Sequence, residues 1–464
     1  MKKVISLILM AAIFCGMATG CSKGKVAEKD GKVCVYDGTW PDETNADAVK
    51  QEEKNRDDFQ KENPDIVIEP EPGNYLSAQV YVAKANAKQL PTYTYLSFPD
   101  IKQYAAAGYL RDISDIMKKQ GLDDAMNDEL RDIISYDGKI YALPKDAYMQ
   151  GLEINLNLFK KAGLIDASGR PKVPDTWQEL AETAKTIKEK TGRAGFVIPT
   201  LQGNGGWYFL NIAWAYGVDF MKRNNDGSYT ATFDSPEMRE AVQYMYDLKW
   251  KYNALPDDTN IDRKTMESLF AADEAAMMIA DPPTNSLTTL YGMNIDSIYA
   301  TRIPAGPAGR FSQMGGGAVG FSVDATDKQV EASLAWMKFR GHSTTPDINE
   351  ETKERLINWY KEQVKNKYII LPEAPMSVWK VGSRYEEDMK LRKQYTNVNP
   401  KNYEEYFKSE GVTIRPEEPA CGKQLYVVLN DLLQAIINNK DADIDKLVET
   451  ANHDFQVNHL DKMD

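Results

Sequence analysis

The sequence predicts an α/β protein built as two lobes, and three observations carry that expectation. Strand-like and helix-like stretches alternate from Lys32 onward, the pattern of βαβ units. The alternation breaks at Pro144, and a new αβ unit begins at once. The chain has 464 residues, more than a single hydrophobic core organises.

In the first half, Val33 to Tyr36 reads as a strand and Asn45 to Glu62 as a charged helix stopped at Asn63-Pro64. Asp65 to Glu69 and Thr92 to Leu96 are the next strands, with a helix over Tyr75 to Ala87 between them. A short helix from Asp100 to Ala107 closes on Gly108. Units of this kind make a parallel sheet with right-handed crossovers. Open sheets of that class bind ligands outside the carboxyl ends of their strands. Those ends carry Asp37-Gly38-Thr39-Trp40, Pro72-Gly73-Asn74-Tyr75 and Ser97-Phe98-Pro99-Asp100, each an aromatic ring beside hydrogen-bonding groups.

The turn Asp137-Gly138 leads into a short strand that Pro144 is expected to stop, because proline fixes its own φ and holds Leu143 extended. Lys145 to Gln150 then crosses in extended form, and Met149 to Asn155 is a second strand. Gly163 suits the left-handed end of the next helix. Thr176 and Glu179 form a capping box for a helix that buries Trp177, Leu180, Ala184 and Ile187 on one face. Ala194 to Ile198 is expected to be a strand, opening into a loop with Asn204 and Trp207. Ser235-Pro236 starts a helix with Met238, Val242, Met245 and Leu248 inward. Ala275 to Ala280 is a strand ending at Asp281-Pro282-Pro283. Gly315 to Phe321 is expected to return to the first lobe. Glu350 to Asn366 and Gln424 to Asn438 read as helices, separated by a connection rich in aromatics, among them Trp379 and Tyr385.

Several of these stretches resemble the family 1, sugar-type extracellular solute-binding proteins of ABC importers. Gly138-Lys139-Ile140-Tyr141-Ala142-Leu143-Pro144 resembles that family's G-K-x-Y-x-L-P hinge segment. Asn155 to Leu164 resembles its N-x-x-L-F-K-x-A-G-L helix, and Thr176 to Leu180 its T-W-x-E-L helix. Gly205-Gly206-Trp207 is similar to its G-G-W region, and Ile303 to Arg310 to its P-x-P-G-G-P-G-G segment. Ala275 to Pro283 is similar to its A-A-M-x-I-x-x-P-W strand, with Pro283 where the family usually has tryptophan. The resemblance implies a two-lobe, type II periplasmic-binding-protein-like fold with discontinuous lobes joined by a hinge. The lobes expected are 32–144 with 313–345, and 145–312 with 346–464. It also implies a permease and an ATPase as partners.

The N-terminus is set apart. Lys2 and Lys3 precede an apolar run, Val4 to Met17, and then Ala18-Thr19-Gly20-Cys21. We read residues 1–20 as a signal peptide and Cys21 as a lipidated first residue, with 21–31 a polar tether. The protein is thus expected at the extracytoplasmic face of the cell membrane, held by lipid alone; no later stretch is apolar enough to span a bilayer. A formal charge of −13 argues against nucleic acid as a partner. With the leader removed and Cys21 committed to lipid, Cys34 and Cys421 remain, as free thiols or as a disulfide. In the resembled fold they belong to different lobes, which favours free thiols.

Three separated histidines and no cysteine cluster give no expectation of a metal site, and no cofactor motif is present. A glycosidase needs two carboxyl groups about 5–5.5 or 6.5–9.5 Å apart, and Asp100, Glu153 and Asp281 are the cleft acids. The expectation is not an enzyme but a receptor for a carbohydrate, an oligosaccharide, which it captures by hinge closure. A secreted carbohydrate-active enzyme, or a sensor or adhesion lipoprotein on the same fold, is the alternative. Sugars present hydroxyls and apolar C–H faces, so their sites pair aromatic platforms with polar side chains. The platforms expected are Trp40, Tyr75, Phe98, Tyr148, Trp207 and Trp379; the polar partners are Asn74, Asp100, Asn204 and Asp281.

Overall fold

A computed structural model describes residues 25–72, 76–342, 346–408 and 410–463. The expected leader, the lipidation site Cys21, and the expected ligand residues Asn74 and Tyr75 lie outside the described residues. The chain divides into two compact units, residues 1–94 with 324–333 and residues 95–323 with 334–464.

In the first unit, β1 (Lys32–Asp37) is followed by α1 (Ala46–Glu62), β2 (Ile66–Pro70), α2 (Ala78–Asn86) and the start of β3 (Tyr93–Ser97). β1 runs parallel to β2, with Val33 opposite Ile66 and Val35 opposite Ile68. Asp37 pairs with Tyr93, also in parallel. Asn45 caps α1 by accepting from Ala48 N, and the helix stops at Asn63, whose N–H bonds Phe59 O. α2 starts later than its sequence suggests because Ser77 is the cap, accepting from Val80 N. Gln329 Nε2 donates to the Cys34 carbonyl at 2.7 Å and ties the later segment to β1.

The second unit holds a large core and the remaining elements. α3 (Phe98–Ala106) precedes β4 (Ala142–Met149) and β5 (Gly151–Asn155). Then come α4 (Trp177–Thr191), α5 (Asn204–Tyr216), α6 (Pro236–Trp250), α7 (Arg263–Ala271), β6 (Met277–Ala280), β7 (Ile298–Arg302) and β8 (Arg310–Phe321). α8 (Glu350–Lys365), α9 (Ser383–Tyr395), β9 (Val412–Pro416), α10 (Gly422–Asn438) and α11 (Ile444–Asn458) follow, with shorter elements between them. The amphipathic helices α4 and α6 bury the faces their spacing indicated.

Several elements depart from the sequence reading. Pro144 does not stop its strand: β4 runs through it and pairs antiparallel with β8. The register shifts between Gly317 and Ala318, so that Asp146 faces Gly317, Pro144 faces Ala318, and Lys145 has no opposite residue. A bulge removes the demand for a ladder N–H, and proline is tolerated there. β5 is flanked by β6 and β7, both antiparallel to it, so the second half does not repeat the parallel order of the first. Ala194 to Ile198 is reduced to two isolated parallel bridges, Ala194 to Ala275 and Val197 to Met278. The N–H groups of Gly195 and Phe196 both bond the Ala254 carbonyl instead of a neighbouring strand. The aromatic connection contains a full helix, α9. Cys34 and Cys421 are both buried and free.

α5 and α10 pack closely because α5 has glycine where they touch. A side chain on Gly206 would collide with the Tyr426 carbonyl oxygen, and Gly205 N donates to Asn430 Oδ1 at 3.1 Å. This contact sets the start of α5 against the first half of α10.

Candidate functional site

Within the second unit, the glycine run of β8 gives aromatic rings room to lie over the strand. Gly315 faces Tyr148 across the ladder, and any Cβ there would enter the tyrosine ring. Gly316 has φ +145 and lies against Phe98 and the Asp146 carbonyl. The run serves close approach, the role glycine has wherever a side chain would obstruct.

Tyr148 opens onto a cavity of about 520 Å³. Its other walls are the Asp281–Pro283 turn after β6, Trp359 on α8, the 374–379 segment with Trp379, and Arg384 and Tyr385 on α9. Trp359 is half exposed, and Trp379 is buried. A second cavity of about 450 Å³ lies across the same 374–379 segment and shares Trp379 and Tyr385. Arg263 Nη2 donates to Asp281 Oδ1 at 2.9 Å and Arg263 Nε to Glu267 Oε1 at 2.9 Å. Burial raises the Asp281 carboxyl above the usual range, and Arg263 opposes that shift. Burial likewise pushes the Tyr148 phenol up, with Asp281 and Glu417 adding to it.

A second polar group surrounds Trp207. Its Nε1 donates to Glu417 Oε1 at 2.8 Å, and Tyr426 Oη donates to the same oxygen at 2.8 Å. With its amide turned to suit these neighbours, Gln313 accepts from Trp207 Nε1 at 2.7 Å and donates to the Trp207 carbonyl at 2.9 Å. Burial pushes the Glu417 carboxyl up to about 7, against the hydrogen bonds from Tyr426 and Trp207. Lys423 Nζ, at the start of α10, donates to Asp100 Oδ2 at 2.7 Å. Burial raises Asp100, and Lys423 holds it down.

Of the residues expected from sequence, Tyr148, Asp281 and Trp379 line one cavity. Trp207 and Asp100 belong to the linked polar group, in which both Asp100 and Lys423 bear on Glu417. Phe98 is buried at 3% exposure. Asn204 turns its Nδ2 back onto the Leu201 carbonyl at 3.0 Å and closes its own loop. Trp40, in the first unit, is 3% exposed with the Arg56 guanidinium 5.8 Å from its ring centre. Sequence reasoning did not single out Glu417, Lys423, Tyr426, Arg263, Trp359 or Arg384. The signal for Glu417 was the acidic pair between Pro416 and Pro419, ahead of an amphipathic helix. No motif marks the others.

Residues 54–354 match the bacterial extracellular solute-binding protein family, well over half of the chain. The chain belongs to that family. A putative binding protein of Brucella abortus (strain 2308) is 30% identical over 197 residues, 40% of this chain. That match spans 45% of the relative's length. The multiple sugar-binding protein of Streptococcus mutans is 23% identical over 354 residues, 73% of this chain and 78% of the relative. Among solved structures, a Listeria monocytogenes ABC substrate-binding protein in complex with cycloalternan superposes with TM-score 0.64 at 19% identity. It covers 92% of this chain and 98% of its own. UgpB of Mycobacterium tuberculosis in complex with glycerophosphocholine gives 0.66 at 17% identity, covering 92% and 98%. This solute-binding protein therefore has the two-lobe α/β fold, and its relatives are binding proteins and not enzymes.

Proposed function

We propose that this solute-binding protein captures a carbohydrate, an oligosaccharide, and delivers it to the permease of an ABC importer. The observation that supports this best is the cavity beside β4, where Tyr148 and the half-exposed Trp359 stand near Asp281, itself held by Arg263. Aromatic faces suit the C–H faces of a sugar, and a carboxylate fixed by a guanidinium suits its hydroxyls. Two adjoining cavities that share Trp379 fit a ligand longer than one ring. Glu417, which Trp207 holds by a hydrogen bond, acts electrostatically on Tyr148. Lobes at 32–144 with 313–345 and 145–312 with 346–464, closing about the 144–150 crossing, would let the ligand select the closed state by touching both. The names of the relatives, several of them sugar-binding, point the same way.

Calorimetry after a thermal-shift screen of neutral and charged oligosaccharides tests the reading. A sugar should bind, and Tyr148→Ala should weaken it by about tenfold, since an aromatic contact contributes about 0.5–1.5 kcal/mol beyond its buried area. A sugar that binds with unchanged affinity to Tyr148→Ala places the site elsewhere. Turnover of the oligosaccharide would support the enzyme alternative instead.

The anchor is part of the proposal and rests on Ala18-Thr19-Gly20-Cys21 after the apolar run. Mass spectrometry of envelope-derived protein should find a mature chain beginning at Cys21 with diacylglyceryl attached. An unmodified N-terminus at any other residue refutes it.

A further inference from the structure

The charges lining the larger cavity pair off, except for one. Lys145 Nζ lies 2.7 Å from Asp146 Oδ2, and Asp281 is held by Arg263. On α9, Arg384, Asp388 and Arg392 follow each other at four-residue steps and share a face. Asp388 accepts from other donors: Oδ1 from Tyr360 Oη at 2.6 Å, and Oδ2 from Arg392 Nε at 2.9 Å. Arg384 is left with a single acceptor, the Gly341 carbonyl, which takes Nη2 at 2.9 Å. Among the described cations that line the cavity, Arg384 alone has no carboxylate partner. A guanidinium offers five N–H donors in a planar fork, and Arg384 is partly exposed where it lines the cavity. Burial pulls Arg384 below its ordinary range, with Asp388 opposing.

An arginine fork on a cavity wall, with one backbone acceptor and no carboxylate partner, suits a ligand rich in acceptor oxygens. The planar fork of arginine matches a carboxylate or a phosphate in two-pronged geometry.

We infer that the solute carries an oxyanion, a carboxylate or a phosphate on a sugar or polyol, and that Arg384 receives it. This rests on the cavity beside Tyr148 being the ligand site. Arg384 then sets specificity, while the aromatic walls supply affinity to acidic and neutral ligands alike.

Titration calorimetry on the full mature chain with matched pairs tests it. One pair is digalacturonate against galactobiose; the other is glycerol 3-phosphate against glycerol. The first reports a carboxylate and the second a phosphate. At least one anionic member should bind about tenfold or more tightly than its neutral partner, the gain expected from a charge-assisted hydrogen-bond pair. Arg384→Gln should bring that member down to the level of its neutral partner. Arg384→Lys, which keeps the charge and loses the fork, should fall between. Tyr148→Ala should weaken both members of the pair equally, and unliganded melts of each variant separate folding from binding. The inference is overturned if the neutral member binds as well as the anionic one. It is overturned too if Arg384→Gln weakens both alike, which would make Arg384 a clamp on Gly341. A neutral oligosaccharide that binds when neither anionic probe does defeats the oxyanion and spares the carbohydrate reading. Failure of every sugar and polyol to bind defeats both.

Discussion

Trp40→Ala is expected to lower the unfolding free energy of the first unit by about 3–5 kcal/mol, the cost of removing a large buried aromatic side chain. The ring is 3% exposed, and Arg56 loses the face it lies over. Trp207→Ala is expected to behave in the opposite way. Its ring is half-buried, and its N–H serves Glu417 and Gln313. Stability should change little, while affinity for a verified ligand falls, because Glu417 keeps only Tyr426 as a donor. Thermal melts and calorimetry on both variants measure this. A Trp40→Ala protein that melts with the wild type would show that its ring is not core. An unchanged affinity in Trp207→Ala would remove that residue from the site.

The first hundred residues were legible because their signals are local. Asn45 caps α1 and Asn63 ends it, and strand and helix periods alternate between such markers. The caps at Thr176 and Ser235 did the same for α4 and α6. What was not legible depends on partners far away in sequence. The bulge that lets β4 pass through Pro144 belongs to Gly317 and Ala318, some 170 residues on, as the Gly317–Asp146 hydrogen bond shows. The directions of β6 and β7 against β5 leave no trace in alternation alone. α9 was read as a connection because it buries only Leu391 and so has no apolar stripe to give a period. Arg384 sits on that helix. The site follows the same division. Tyr148 and Asp281 stood out by their places at a crossing and a strand end. Glu417 matters only because it meets Trp207, 210 residues away in sequence.

Raising the pH should destabilise the second unit through one buried acid on β5. Glu153 pairs with Met278 on one side and Ala300 on the other, and is 0% exposed. Its Oε1 accepts from Thr284 N at 3.1 Å, while its Oε2 is buried without a partner among the described residues. Burial pushes the carboxyl from 4.5 up to about 7, and the bonds from Thr284 only partly oppose it. Because the folded-state value is the higher one, the folded chain holds the proton more tightly than the unfolded chain. The stabilisation is fully present below 4.5 and is lost as pH climbs through the window to about 7, beyond which the curve is flat. At about 1.4 kcal/mol per unit, the loss is on the order of 3 kcal/mol. Glu153→Gln stays neutral throughout and keeps an acceptor for Thr284 N, so most of that slope should vanish. Glu417 is also raised, to about 7, and leaves a smaller slope of the same sign because it is partly exposed to solvent. Denaturant melts at pH 5, 6, 7 and 8 measure the difference. The variant should match the wild type near pH 5 and exceed it at pH 8; parallel curves would mean that Glu153 is ionised in the fold. Thr284 directly follows the Asp281–Pro283 turn, so the charge on Glu153 acts on the turn that carries Asp281 into the cavity.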